Sequence, residues 1–91
     1  MFYSHEKYIP GEGIFFIVED TEGMPRHFLL EIAVLERLSG KKKILFPEKT
    51  GLYFLYHYRN QIYRMCTIAF KETPIWNNSR PYPLRISHLG K

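Results

Sequence analysis

Short runs of apolar residues, separated by turn-forming residues, make up most of this chain. Residues 14–18 form a continuous run of β-branched and aromatic side chains, which is typical of a strand covered on both faces. Along residues 52–59 the side chains alternate so that His57 and Arg59 share one face near the end of the segment. Together with residues 62–70, this alternation predicts a hairpin of two antiparallel strands.

Residues 25–38 are compatible with either a strand or a helix. In a strand, alternate apolar side chains from Phe28 to Val34 would lie on one face. In a helix, Pro25 would stand near the start and Gly40 just past the end. We favour the strand, because the polar residues of this segment spread around a helical wheel instead of gathering on one side.

These elements together predict a mainly β protein. Short strands are also expected at residues 44–46, which are followed by Pro47, and at residues 84–86. Ninety-one residues with 45% hydrophobic and 24% charged side chains are typical of one folded domain, which we place at residues 1–91. We therefore expect a small open barrel of about six strands, with at most one short helix within residues 25–38.

Residues 73–86 combine prolines, aromatics and arginines. They hold Trp76, the only tryptophan, then a run of turn-forming residues, then Tyr82 between two prolines. Arg80 and Arg85 lie close to these aromatics in sequence. Trp76 either fills the end of a small core or lies at the edge of a binding pocket, and the residues alone fit both roles.

This segment resembles the EVE domains of the PUA-like fold. The resemblance rests on the run Pro-Ile-Trp that ends at Trp76, the polar loop after it, and the run Tyr-Pro-x-Arg-Ile that begins at Tyr82. It extends over residues 51–86, where the two strands of the predicted hairpin precede the motif. The resemblance implies a PUA-like barrel that binds nucleic acid without catalysis and reads a modified base in an aromatic-edged pocket. The residues it implicates are Trp76 and Tyr82 for stacking, and Arg80, Arg85, Lys42 and Lys43 for phosphate.

Charge is distributed unevenly along the chain, whose net charge is +4. Residues 1–40 contain three Lys or Arg and seven acids, whereas residues 41–91 contain ten Lys or Arg and two acids. Nine aromatic residues are interleaved with the basic half. If the fold gathers these residues, His57 and Arg59 among them, phosphate attraction and base stacking share one surface. If the fold mixes the two halves, no continuous basic patch forms.

Signatures of catalysis, metal binding or a cofactor do not occur in the sequence. The four histidines have no ligand spacing, and Cys66 is the only cysteine. No nucleophile elbow, phosphate-binding loop or dinucleotide fingerprint occurs. We therefore expect no metal, no cofactor and no hydrolase with an internal acid–base pair. The lack of a signal peptide or a long apolar run predicts a cytoplasmic protein without a membrane span.

Two alternative functions fit the same residues. Residues 51–55 followed by residues 60–64 resemble the paired strands of RelE- and HigB-like ribonuclease toxins. That resemblance implies RNA cleavage with Arg64 in the site and Arg59 and Lys71 as helpers, although Tyr56 stands where this family usually carries Arg. The other alternative is a protein-interaction module or homodimer that uses exposed tyrosines as anchors.

Overall fold

Four strands and three helices are present in a computed structural model that describes residues 2–40, 47–73 and 78–89. Three strands come first, then three helices, then a short last strand and a single 3₁₀ turn. In chain order they are β1 (Ser4–Ile9), β2 (Gly13–Glu19), β3 (Pro25–Glu31), α1 (Ile32–Ser39), α2 (Pro47–His57), α3 (Arg59–Glu72), β4 (Tyr82–Leu84) and the turn Ile86–His88.

The strands form one open sheet in the order β1-β2-β3-β4. The first three strands are antiparallel neighbours joined by tight turns, whereas β4 pairs parallel to β3. A parallel neighbour requires a crossover connection, which the three helices supply. The register aligns Lys7, Phe15, Leu29 and Pro83 in one row across all four strands.

The hydrophobic core lies between one face of this sheet and the helices. On β2 the side chains of Ile14, Phe16 and Val18 are buried, and on β3 those of Phe28 and Leu30 are buried. Successive side chains of a strand point to opposite faces, so these residues all lie on the same side. Leu84 of β4 and Tyr3, just before β1, are buried with them. The helices contribute the other core residues, namely Val34, Leu35, Phe54, Leu55, Ile62, Met65, Cys66 and Ala69.

The prediction of a mainly β barrel is wrong, because the expected hairpin over residues 52–70 is helical. It forms α2 and α3, with Tyr58 alone between them. The spacing of the buried residues of α3 is the physical reason: Ile62, Met65, Cys66 and Ala69 follow the i, i+3, i+4, i+7 pattern of one helix face. Along α2, aromatic residues recur at every second position, and this pattern is also typical of a strand. The segments matched to the paired strands of ribonuclease toxins are therefore helices as well.

Residues 25–38 contain a strand and a helix in succession. β3 ends at Glu31 and α1 begins at the next residue, so the favoured strand is correct only for the first half. Gly40 stands just past the helix with a φ of 72° and donates its N–H to the Arg37 carbonyl. This left-handed geometry favours glycine, as the helical alternative predicted.

The remaining strand predictions have mixed outcomes. Residues 14–18 lie within β2, which confirms that strand. The expectation that both of its faces are covered is wrong, because Phe15 and Ile17 are only half-buried. Of the strand predicted at residues 84–86, only Leu84 belongs to β4, because a 3₁₀ turn begins at Ile86. The strand predicted at residues 44–46 lies outside the described residues. Among the helices of the described residues, none combines the length and the apolar character that a membrane span requires.

Candidate nucleic-acid interface

One side of α2 presents an exposed row of cationic and aromatic side chains. Lys49, Tyr53 and His57 are spaced four residues apart, so they lie above one another on the helix surface. The rings of Tyr53 and His57 are stacked, with centroids 5.5 Å apart and planes inclined by 18°. Tyr53 is 61% exposed, although it is a large aromatic residue. The pair therefore forms a flat aromatic platform that faces solvent.

The turn between α2 and α3 places a guanidinium beside this platform. Tyr58 packs edge-on against the ring of His57 at 4.7 Å and also contacts Phe54 at 5.7 Å. Arg59, the first residue of α3, donates from Nη1 to the carbonyl oxygen of Tyr56 at 3.0 Å. That carbonyl belongs to the last turn of α2, where the helix dipole favours a cation. The guanidinium is thereby held at the exposed end of α2.

Tyr56 connects the same corner to the sheet. Its hydroxyl donates to Oε2 of Glu6 on β1 at 2.7 Å. This hydrogen bond, with smaller contributions from desolvation and from the charge of Glu6, raises the pKa of Tyr56 to about 12. The phenol therefore stays protonated at neutral pH. We call the exposed residues Lys49, Tyr53, Tyr56, His57 and Arg59 the junction surface.

The exposed side of α3 extends the basic character away from the junction surface. Asn60, Arg64, Thr67 and Lys71 are all exposed and recur at the spacing of one helix face. Arg64 and Lys71 form no ion pair within residues 2–40, 47–73 and 78–89. We call these four residues the α3 stripe. It has two cations and the amide of Asn60, whereas the hydroxyl of Thr67 donates to the carbonyl oxygen of Tyr63 at 3.0 Å.

The structure brings together two of the residues predicted from the sequence and separates them from three others. His57 and Arg59 meet at the helix junction, which lies on the β1 side of the molecule, because α2 contacts β1. Arg80, Tyr82 and Arg85 accompany β4, which lies at the opposite edge of the sheet. The other three predicted residues, Trp76, Lys42 and Lys43, lie outside the described residues.

Tyr82 and Arg85 are engaged in contacts within the fold. The ring of Tyr82 packs edge-on against Phe28 at 6.2 Å, and its hydroxyl lies 3.3 Å from Nε2 of His88. His88 is buried, and its Nδ1 accepts the backbone N–H of Arg85 at 3.1 Å. Arg85 itself is exposed, but its Nε lies 3.5 Å from Oε2 of Glu31. These contacts fasten the last strand and the 3₁₀ turn to the sheet.

Lys49, Tyr53 and Tyr56 were missed by the sequence reasoning. Their signal was present as the four-residue recurrence of Lys49, Tyr53 and His57, which indicates one face of a helix. The strand interpretation left Lys49 outside the predicted strand and placed Tyr53 and His57 on one face but too far apart to stack. The stacked pair became recognisable only once the segment was known to be helical.

A cleft of about 390 Å³ lies between the β2–β3 turn and the second half of α3. Arg26 on its wall is held by Asp20, with Nε 2.8 Å and Nη2 2.7 Å from Oδ2. Oδ1 of Asp20 accepts the backbone N–H groups of Glu22 and Met24, which shapes the turn. Lys71 and Glu22 also line the cleft, so its charges balance and it is not selective for an anion.

Neither the cysteine nor the possible metal ligands of the described residues form a reactive site. Cys66 is buried, and burial raises the pKa of its thiol, so the thiolate needed for nucleophilic attack does not form at neutral pH. No three His, Cys, Asp or Glu side chains of the described part of the chain come together as metal ligands. Comparison with protein family models, with characterised proteins and with solved structures finds no match to this chain.

Proposed function

We propose that this protein binds single-stranded nucleic acid, without catalysis, through the junction surface. The observation that carries the proposal is the stacked pair of Tyr53 and His57, in which Tyr53 is 61% exposed. An exposed ring has an uncovered π-face, and stacking of one base on such a face contributes about 1–3 kcal/mol. Bases in a duplex are already stacked on each other, so this platform fits an unpaired strand.

Cations on both sides of the platform supply the attraction for phosphate. Lys49 lies one helical turn before Tyr53, and Arg59 lies just beyond His57. Arg64 and Lys71 on the α3 stripe extend the positive potential along a second helix. Each phosphate contact on a single strand contributes about −0.7 to the slope of log affinity against log salt. Four cations can therefore produce a slope as steep as about −3.

A base-reading pocket is not part of this proposal. Tyr82, one of the two aromatics that the EVE resemblance implicates, packs against Phe28 and approaches His88. The other, Trp76, lies outside the described residues. The resemblance to EVE domains was drawn over residues 51–86, but the two strands it requires before residue 73 are the helices α2 and α3. It stays a prediction for residues 73–86, and the junction surface does not depend on it.

The test is a titration of a fluorescent oligonucleotide of about 15 nucleotides, in DNA and RNA form, followed by anisotropy. Tyr53→Ala should lower affinity by about 5- to 150-fold, which corresponds to the loss of one stacked base. Lys49→Gln and Arg59→Gln should each make the salt slope shallower by about 0.7. Arg37→Gln, which removes one exposed cation from α1, is the matched control and should change neither quantity.

Two results would contradict the proposal. One is affinity that does not change between low and physiological salt, because phosphate contacts always release counterions. The other is loss of binding in Arg80→Gln or Arg85→Gln while the junction variants bind normally. That outcome would place the interface at β4, as the EVE resemblance implies.

A second candidate function is recognition of a protein partner through the same tyrosines. Tyr53 and Tyr56 are large aromatics that are 61% and 46% exposed, and tyrosine is enriched among the residues that dominate protein interfaces. The two functions differ in their dependence on charge. A protein interface anchored by tyrosine would lose affinity in Tyr53→Ala but would tolerate Lys49→Gln, because exposed charge pairs contribute only about 0.2–1 kcal/mol.

A further inference from the structure

The sheet has a second face, opposite the helices, that is apolar across its centre. Phe15 and Leu29 are neighbours in the row that continues to Pro83, and Ile17 and His27 are neighbours in the next row. The rings of Phe15 and His27 also contact each other, edge to face, at 5.4 Å. All five side chains are half-buried and none belongs to the hydrophobic core. We call Phe15, Ile17, His27, Leu29 and Pro83 the open face.

All three described helices pack on the other side of the sheet. Gly51 of α2 packs so closely that a Cβ added there would lie 3.0 Å from Ile14 of β2 and 3.7 Å from Leu35 of α1. Since Ile14 is on the core face, α1 and α2 both lie over that face. In α3, Phe70 packs on the ring of Phe28 at 5.7 Å, again on the core face. The open face therefore carries no helix from the described residues.

Both edges of the sheet are unsuited to pairing with another strand. The register of β1 shifts between Ser4 and Lys7, and His5 in this bulge has a φ of 57°. β4 is three residues long, and Pro83 in its centre has no N–H to donate. Short, bulged and proline-bearing edges prevent strand addition. A partner of this sheet is therefore expected on its face and not along its edge.

The charges around the open face are those of a self-complementary surface. Its centre contains no Lys, Arg, Asp or Glu, which makes it unsuitable for a polyanion. Glu31 and Arg85 at one end neutralise each other. Lys7 on β1 and Glu19 at the far end of β2 are exposed, and neither forms an ion pair in the described part of the chain. Glu12, in the turn between β1 and β2, is also exposed and lines a cleft beside Leu29 and Glu31. Among the described residues around this face, one unpaired cation and two unpaired anions therefore remain, at different corners.

We propose that two copies of this chain associate face to face through the open face. A strand spacing of about 4.8 Å and a rise of about 3.4 Å per residue place Lys7 and Glu19 symmetrically about a line through the apolar centre. A two-fold axis along that line brings Lys7 of each copy onto Glu19 of the other. The strands of the two sheets then cross at about 40°, close to the roughly 30° that is usual for aligned sheets.

The available area makes this a weak dimer. Four strands about 4.8 Å apart, which present about six residues on average, offer roughly 400 Å² of projected face per copy. A stable interface of standard size buries about 800 Å² per partner, so the open face belongs to the small, transient class. We expect a monomer at low concentration and a dimer that becomes populated between about 10 µM and 1 mM.

Sedimentation equilibrium of the full chain over this concentration range tests the proposal. The average mass should rise with concentration from 10.9 kDa towards twice that value. Lys7→Glu and Glu19→Lys should each raise the dissociation constant by about tenfold, because each variant places like charges together twice in the dimer. The double variant restores both pairs and should return the dissociation constant to the wild-type range. Arg37→Glu, a charge reversal at an exposed residue of α1 on the helical side, is the control and should leave association unchanged.

Several outcomes overturn the inference. A monomer at every concentration excludes a self-association surface. If either charge reversal leaves the dissociation constant unchanged, or if the double variant does not restore it, this two-fold arrangement is excluded. Phe15→Ala that lowers oligonucleotide affinity while leaving the average mass unchanged would make nucleic acid the occupant of the open face. The dimer does not rest on the proposed function, since the junction variants test that function on a different surface.

Discussion

Tyr3 carries a buried hydroxyl group that should make the folded protein less stable. Its side chain lies just before β1 and is only 8% exposed. The ring packs against Phe16 at 4.8 Å, Tyr63 at 4.9 Å and Tyr56 at 5.4 Å. The hydroxyl oxygen is buried and has no hydrogen-bond partner among the described residues. Burial raises the pKa of this phenol, so the group remains a neutral, protonated hydroxyl.

Replacing Tyr3 with Phe removes the hydroxyl and keeps the ring. The three ring contacts are retained, so the packing term should change little. In water the hydroxyl of the unfolded chain is hydrated, and burying it without a partner costs about 1–3 kcal/mol. We therefore expect Tyr3→Phe to raise the free energy of unfolding by about 1–3 kcal/mol. For a domain of this size, each kcal/mol shifts Tm upward by about 4–8 °C.

Urea denaturation and thermal melts, both followed by circular dichroism, measure this change. Tyr53→Phe is the control, because it removes a tyrosine hydroxyl from a residue that is 61% exposed and should leave stability nearly unchanged. A Tyr3→Phe variant that is equally or less stable than the wild type would refute the reasoning. It would mean that the hydroxyl has a partner, such as an ordered water molecule, whose hydrogen bond offsets the burial.

Two further predictions concern the turns that surround β2. Gly13 has a φ of 153°, and a Cβ there would lie 2.0 Å from the carbonyl oxygen of Leu30, so Gly13→Ala should cost about 3 kcal/mol or more in urea denaturation. Gly11→Ala, with a φ of 78° but nothing within 4 Å, should cost only about 1–2 kcal/mol; equal losses would contradict the clash. For Asp20, hydrogen bonds from the Met24 backbone, then from Arg26 and the Glu22 backbone, lower the carboxyl pKa below its ordinary value of 3.8, against a smaller opposing effect of desolvation. Its contribution to stability is therefore complete above that ordinary value and is lost as pH falls through the lowered pKa. Asp20→Asn should lose less stability than the wild type between about pH 5 and pH 2, and identical losses in urea melts at these pH values would contradict the assignment.

Local signals in the sequence were sufficient for some elements. The apolar run at residues 14–18 predicted a strand, and β2 occupies it because its alternate side chains fill the core. Gly40 predicted the end of a helix, because a residue without a Cβ adopts the left-handed conformation at low cost. Each of these signals depends on a few adjacent residues and needs no partner element.

The helices α2 and α3 were missed although part of their signal was present. The recurrence of Ile62, Met65, Cys66 and Ala69 indicates a helix face, but alternating aromatics before it suggested a strand. Half-exposed tyrosines fit both the helical and the strand pattern of apolar residues, since their rings are apolar and their hydroxyls are polar. Burial distinguishes the helices from the predicted strands, because Leu55 and the four α3 residues cover one face of the sheet only when both segments are helical.

The junction surface and the open face depend on tertiary structure to different degrees. The sequence by itself determined that Tyr53, His57 and Arg59 lie close together and that the second half of the chain is basic and aromatic. Only the helical geometry of α2 stacked Tyr53 on His57, because residues four apart on a helix share one face. The open face depends on more distant pairing, since Leu29 and Pro83 are neighbours only through the parallel register of β3 and β4. No local pattern encodes that register, because it is set by how three helices pack over the core face before the chain returns to the sheet.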